Sequence, residues 1–133
     1  MTRDGGDIGA LTEGLPESDH PEWTAPMLAV LTERRFSDPG WIYERKMDGE
    51  RVLTFRDGDR VRLMTRNRNE VSATYPALAA ALSRQPVGEF VADGEVVAFD
   101  GARTSFSRLQ GRMQIRDSDR ARQSGISVFL YLF

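Results

Sequence analysis

Cysteine is absent from this 133-residue chain, and with it go disulfide frameworks, thiolate zinc sites and thiol nucleophiles. The single histidine, His20, is too little for a histidine-rich metal site, and a Ser-His-Asp triad would have to rest on it alone. No apolar run approaches the ~18 residues of a membrane-spanning helix. Met1 to Ala10 lacks the basic start and apolar stretch of a secretory signal, so the expected compartment is the cytoplasm, with no membrane partner. Neither common phosphate loop, G-x-x-x-x-G-K-[ST] or G-x-G-x-x-G, occurs. Lysine is nearly missing too: 17 of the 18 basic residues are arginine, and Lys46 is the exception. A guanidinium stays protonated and does not attack as an amine. Side-chain amine chemistry therefore has one address.

Against these absences, 40% of the residues are apolar and 29% charged, enough for the core of one domain and too apolar for disorder throughout. The net charge of −2 divides unevenly. Residues 1–22 hold six acids and one base, −5, which leaves +3 for the rest. Six arginines against Asp117 and Asp119 fall within 103–122. Gly-rich, acidic and aperiodic, residues 1–21 read as a flexible tail, and 22–133 as the folded body. The mildly basic body permits a nucleic acid partner without requiring one.

Trp41 to Lys46 reads as a strand, closed by Asp48-Gly49. Two alternating runs, 51–56 and 60–66, flank Asp57-Gly58-Asp59 and predict a hairpin. Helical spacing of Leu78, Ala79 and Leu82 predicts a helix within 74–84, with Thr74 able to cap it and Pro76 in its first turn. Residues 90–99 read as strand interrupted at Asp93-Gly94, residues 105–113 as a short helix capped by Thr104 or Ser105, and 126–133 as a final apolar strand. The order predicts an α+β fold of antiparallel sheets with packed helices, not a doubly wound one.

On a strand, Glu44 and Lys46 share a face, and the turn at Asp48-Gly49 lets Arg51 fold back toward it. An amine, a carboxylate and a guanidinium then meet on one surface. The amine can attack, the carboxylate can accept from an amino group or hydroxyl, and the guanidinium can hold a ribose or phosphate. Taken singly, each residue has an ordinary reading: Glu44 and Lys46 as a surface pair, Arg51 as a strand-edge charge, Asp93-Gly94 as a turn or bulge, Phe133 as core, and Arg108 with Arg112 as a solvated helix face.

Their order along the chain carries more. Lys46-Met47-Asp48-Gly49-Glu50-Arg51 resembles the K-x-D-G-x-R signature of ATP-dependent DNA ligases and mRNA capping enzymes, and Glu44 fits the ligase form. Arg66-Asn67-Arg68-Asn69, then Asp93-Gly94-Glu95, then the F-x-x-L-Q-x-R stretch from Phe106 to Arg112, resemble later motifs in the same order. The last of these points to DNA ligases, in general look those of bacterial non-homologous end joining. The resemblance covers about 22–133 and implies part of the DNA ligase/mRNA capping enzyme nucleotidyltransferase fold, which is ATP-grasp-like. It further implies that Lys46 attacks the α-phosphate of ATP, that Glu44 recognises the adenine amino group, that Arg51 and Glu95 hold the ribose hydroxyls, that Arg66 contacts the nucleotide or a nicked-strand phosphate, and that Phe133 stacks on adenine. AMP would pass to a 5′-phosphate of nicked or broken double-stranded DNA, in repair or recombination.

A free lysine amine is neutral at pH 7 in only roughly one molecule in 10³. Nearby carboxylates oppose its deprotonation, so compensating charge from Mg²⁺ (or Mn²⁺) or arginines is expected, with no metal ligand assigned. The family's later carboxylate motif, its paired-lysine motif and the OB-fold domain are not in the sequence, which reads as the front part of an adenylation domain, doubtful as a self-sufficient ligase. The apolar strand from Val128 to Phe133 leaves an edge to cover, so self-association is expected; an end-binding protein is a further expected partner. A degenerate nucleotide- or DNA-binding module, and an RNA ligase or capping-type transferase, are the alternative functions.

Overall fold

Strand-forming residues alternate most regularly on either side of Gly58, and there the fold begins. The computed structural model describes residues 13–133. Strands β1 (Glu50–Asp57) and β2 (Arg60–Thr65) form the hairpin, with Asp57 opposite Arg60. Helix α1 (Pro76–Ser83) follows, then β3 (Glu89–Val97). A small ribbon of β4 (Phe99–Asp100) and β5 (Arg103–Thr104) leads to α2 (Phe106–Met113), α3 (Ser118–Gln123) and β6 (Phe129–Leu132). The main sheet is antiparallel in the order β2-β1-β3-β6, as the α+β expectation requires. Among the described residues no helix is long and apolar enough to cross a membrane.

The centre of β1, Val52 to Phe55, is buried on both faces of the sheet. Pleating sends Val52 to the face where Leu63, Val96, Tyr75 and Leu109 form the core, with Leu78 and Leu82 of α1 packed against it. Leu53 and Phe55 point to the opposite face. There the chain before the sheet lies across them: the rings of Trp23 and His20 sit 5.8 and 6.4 Å from that of Phe55. His20 Nε2 also lies 3.3 Å from the carbonyl oxygen of Phe90. Of the tail predicted over 1–21, residues 1–12 lie outside the described residues, and 13–21 form no helix or strand.

Several local expectations give way to tertiary ones. The segment from Trp41 to Lys46 is not a strand, and Ile42 is 88% exposed. A strand is stabilised by its ladder, and among the described residues none pairs with this one. Its aromatic residues gather locally instead: Trp41 meets Phe36 edge to face at 5.0 Å, and Tyr43 Oη accepts from the Asp38 N–H at 3.1 Å. Thr74 does not cap α1; it is buried, and its carbonyl accepts from Arg112 Nε at 2.8 Å. Tyr75 takes the cap position without a side-chain bond, and Pro76 removes one donor that would need a cap. Ser105, one of the two expected caps, does cap α2, its Oγ accepting from Arg108 N–H.

Helix α3 has no counterpart in the periodicity, although Asp117 is a regular cap whose Oδ1 accepts from Arg120 N–H at 2.9 Å. Arg112 is no part of a solvated face: it is 3% exposed, and its Nη1 donates to Ser124 Oγ at 2.6 Å. One guanidinium thus ties α2 to the turn before α1 and to the end of α3.

Strand β3 runs unbroken through Asp93-Gly94. The glycine marks an approach, not a break: a Cβ there would sit 2.3 Å from the carbonyl oxygen of Tyr131 in β6. Gly94→Ala is therefore expected to push β6 off the sheet, raising hydrogen exchange over 129–132 while β1 and β2 stay protected, at a cost of about 1–3 kcal/mol in urea unfolding. Unchanged protection of β6 would refute this.

Candidate functional site

A cavity of about 420 Å³ opens where β1 begins and β2 and β3 end. Glu50 and Arg51 of β1, Glu95 of β3, Arg66, Asn67 and Asn69 after β2, and Phe106 and Met113 of α2 contribute to its wall. The volume lies within the roughly 300–1,000 Å³ of small-molecule sites.

The floor is set by Gly49. A Cβ at this position would lie 2.1 Å from the Val96 carbonyl oxygen, so only a glycine lets the turn reach β3. Its N–H donates to Glu95 Oε1 at 3.1 Å. Asp48 secures the same turn from the other side, its Oδ2 accepting from the Phe106 N–H at 3.2 Å and its own N–H donating to Thr104 Oγ1 at 3.4 Å. The Lys-x-Asp-Gly segment is thereby held to the Asp-Gly-Glu strand and to the start of α2.

Register does the rest. Arg51 lies opposite Glu95, and Asp93, two residues along β3, shares their face. Arg51 donates to Asp93 through Nε at 2.9 Å and Nη2 at 2.5 Å, a two-pronged pair. That bond raises the guanidinium further above its ordinary range, against the opposing effect of burial; Asp93 and Glu95 charges add to it. The Phe133 ring lies 5.4 Å from the same guanidinium, and the Phe133 N–H donates to the Asp93 carbonyl at 3.1 Å. Behind the wall, Tyr75 donates to Glu50 Oε2 at 2.6 Å; burial first, then this bond, drives the phenol well above its usual range.

Burial also raises the Glu95 carboxyl, and Asp48 adds to this, against the pull of the Gly49 N–H, Lys46 and Arg51. Lys46 is thus an electrostatic neighbour of Glu95, although its side chain is exposed on the unpaired segment. Of the residues singled out in the sequence, Arg51, Arg66 and Glu95 line the cavity. Glu44, Lys46 and Phe133 do not, and without a strand over 41–46 the shared face of Glu44 and Lys46 is not formed. Sequence reasoning missed Met113 and the pairing of Asp93 with Arg51, and it quoted Asn67, Asn69 and Phe106 within motifs without giving them a place in the site. The signal for Asp93 was present in its spacing of two from Glu95 on one strand.

Chemically, the wall offers guanidinium groups, a carboxylate acceptor and amides to a polar ligand, and the one lysine lies three residues before Gly49 in the chain. Glu95 carries a consequence for stability. Because its carboxyl holds its proton more tightly in the folded state, ionisation lowers stability as pH rises through the raised value. Glu95→Gln keeps an acceptor for Gly49 and removes that effect. Its thermal midpoint is expected to exceed the parent's at pH 7, with the gap closing as pH falls through the carboxylate range. A midpoint below the parent's at pH 7 would reverse the conclusion.

The geometry has relatives. Residues 26–133 match the family model of the ATP dependent DNA ligase domain. Over 120 residues the chain is 33% identical to DNA ligase 2 of Thermofilum pendens, a match covering 81% of this chain and 20% of that protein. It is 37% identical over 95 residues to the multifunctional non-homologous end joining protein LigD of Pseudomonas aeruginosa, covering 71% of this chain and 11% of that one. The solved ligase domain of M. tuberculosis LigD superposes with a TM-score of 0.54 at 33% identity, over 68% of this chain and 27% of that one. The chain therefore spans about a quarter or less of the length of these relatives. With the family model covering most of its length, the chain belongs to the ATP-dependent DNA ligase domain family.

Proposed function

We propose that this chain supplies the nucleotide-capturing front of an adenylation domain, with residues 22–133 as the relevant unit, in an ATP-dependent DNA ligase that seals nicked or broken double-stranded DNA. The observation that carries this reading is the bond from the Gly49 N–H to Glu95, which ties the turn that follows Lys46 to a cavity walled by Arg51 and Arg66. In the proposed step a neutral Lys46 Nζ attacks the α-phosphorus of ATP. A P–N bond forms, the bond to the bridging oxygen breaks, pyrophosphate leaves with that electron pair, and the attacking nitrogen gives up a proton. AMP then passes to a DNA 5′-phosphate, and a 3′-hydroxyl displaces it. Glu95 and Arg51 would take the ribose hydroxyls, and Arg66, exposed at the rim, a phosphate. Glu44 and Lys46 lie on the exposed segment before Gly49 and would reach the nucleotide from there, and Phe133, beside Arg51, would stack on adenine.

Among the described residues no three or more metal-ligating side chains gather. The cavity's carboxylates already have partners, Glu50 in Tyr75 and Glu95 in Gly49. The residues present do not fit a protein-built metal cage; Mg²⁺ would arrive on the nucleotide's phosphates, its usual mode.

Incubation with α-labelled ATP and Mg²⁺ tests the proposal. An acid-labile AMP adduct is expected on the parent chain, and Lys46→Arg is expected to reduce it to background without loss of fold by circular dichroism. Persistence of the adduct in that variant would remove Lys46 from its role. No adduct on the parent, with DNA still bound, would favour a binding module.

Self-association belongs to the same reading. Strand β6 closes one side of the sheet with Phe129, Tyr131 and Leu132 exposed. Light scattering is expected to show a mass that rises with concentration and falls back in Leu132→Lys; a monodisperse monomer throughout would count against it.

A further inference from the structure

Arg68 is the one residue other than glycine with a positive φ among the described residues, at 63°. That conformation crowds the Cβ of an L-residue and is kept only where surroundings hold it. It occurs in the loop that brings Arg66, Asn67 and Asn69 to the cavity. Within the loop, the Arg68 N–H donates to the Thr65 carbonyl at 2.9 Å, and the Asn69 N–H to Thr65 Oγ1 at 3.2 Å. The Arg68 side chain leaves the cavity and sets its guanidinium over the ring of Trp23, 5.2 Å from the centroid.

Trp23 is itself held. Its ring lies against Phe55, which Arg62 covers at 5.1 Å. The same Arg62 donates from Nη2 to the Glu22 carbonyl at 3.1 Å and pairs with the Glu22 carboxylate at 3.3 Å. Two arginines and one buried aromatic thus clasp Glu22-Trp23 onto the face of the sheet away from the helices. Both residues precede the region that matches the family model.

We infer that this clasp sets the conformation of the cavity loop, and that Trp23 is a positioning residue for ligand capture at a site it does not touch. The inference about ligand rests on the nucleotide reading above; the coupling of Trp23 to the loop does not. The arginine pays the strain of its backbone with a cation–π contact, and the loop inherits the position of a segment more than forty residues earlier in the chain. The bonds to Thr65 hold the turn itself; without the ring the Arg68 guanidinium loses its anchor, and Arg66 and Asn67 lose the contact that fixes the loop's approach.

Trp23→Leu keeps an apolar cover on Phe55 and removes the π face. Arg68→Gln keeps the backbone strain, removes the charge and leaves Phe55 untouched. Each is expected to speed hydrogen exchange of the Arg68 and Asn69 amides about fivefold, the size of one partly exposed cation–π contact, while β1 amides stay protected. In the double variant the two effects should not add. In adenylation assays each should raise the half-saturating ATP concentration by a similar factor and leave the maximal yield alone. Unaltered loop exchange in both single variants, or full additivity, would overturn the inference. If the parent forms no adduct, the nucleotide reading falls and the exchange data alone decide the coupling.

Discussion

Two backbones meet at Gly49 with no room for a side chain between them, and the rest of the site follows from that approach. Because the turn before β1 touches the end of β3, its N–H can reach the Glu95 carboxylate. Because it is anchored there, the chain leaves Lys46 only three residues from that bond. A methyl group in the gap would have to displace Val96 or lift the turn, and the lysine would leave with it. The glycine is needed for what it lacks, and the motif spacing records a distance between strands.

Burial around this point is asymmetric. On the helix side, a charged residue does structural work: Arg112 joins three elements, and Tyr75 donates a short hydrogen bond to Glu50 behind the cavity wall. Satisfied polar groups of this kind fix a wall more firmly than apolar packing alone, since a shift leaves a buried donor without a partner. On the other side, the sheet carries its polar business end, Arg51, Asp93 and Glu95, beside an apolar end covered by Trp23 and His20. Function and packing are separated along the strands as well as across them.

Much of this was legible beforehand. The hairpin, α1, α2 and the antiparallel α+β character follow from periodicity and turn chemistry, which are local. The family followed from motif order. What was not legible depended on distant partners. Trp41 to Lys46 has a strand's composition and, among the described residues, no ladder to join, so composition misled. Asp93-Gly94 looks like a turn in one dimension and is a contact with β6 in three. Arg112 looks like a surface arginine until Thr74 and Ser124 are brought to it. Arg51, Arg66 and Glu95 reach the cavity because each sits on or just after a strand whose register the hairpin imposes; Glu44 lies on the unpaired segment, and Phe133, bonded to Asp93 just past β6, sets its ring by Arg51 instead.

The two-residue connection between β1 and β2 has an effect beyond linking them. It pins Asp57 to Arg60, and with the pairing of β1 to β3 it determines which side of the sheet every side chain occupies. Slipping β1 by a single position would turn Arg51 inward among the core aliphatics and Val52 to the opposite face, beside Asp93 and Glu95. An insertion at the far tip of this ribbon, some twenty ångströms along the strand by its length alone, would thus dismantle the ligand pocket while leaving all its residues in the sequence.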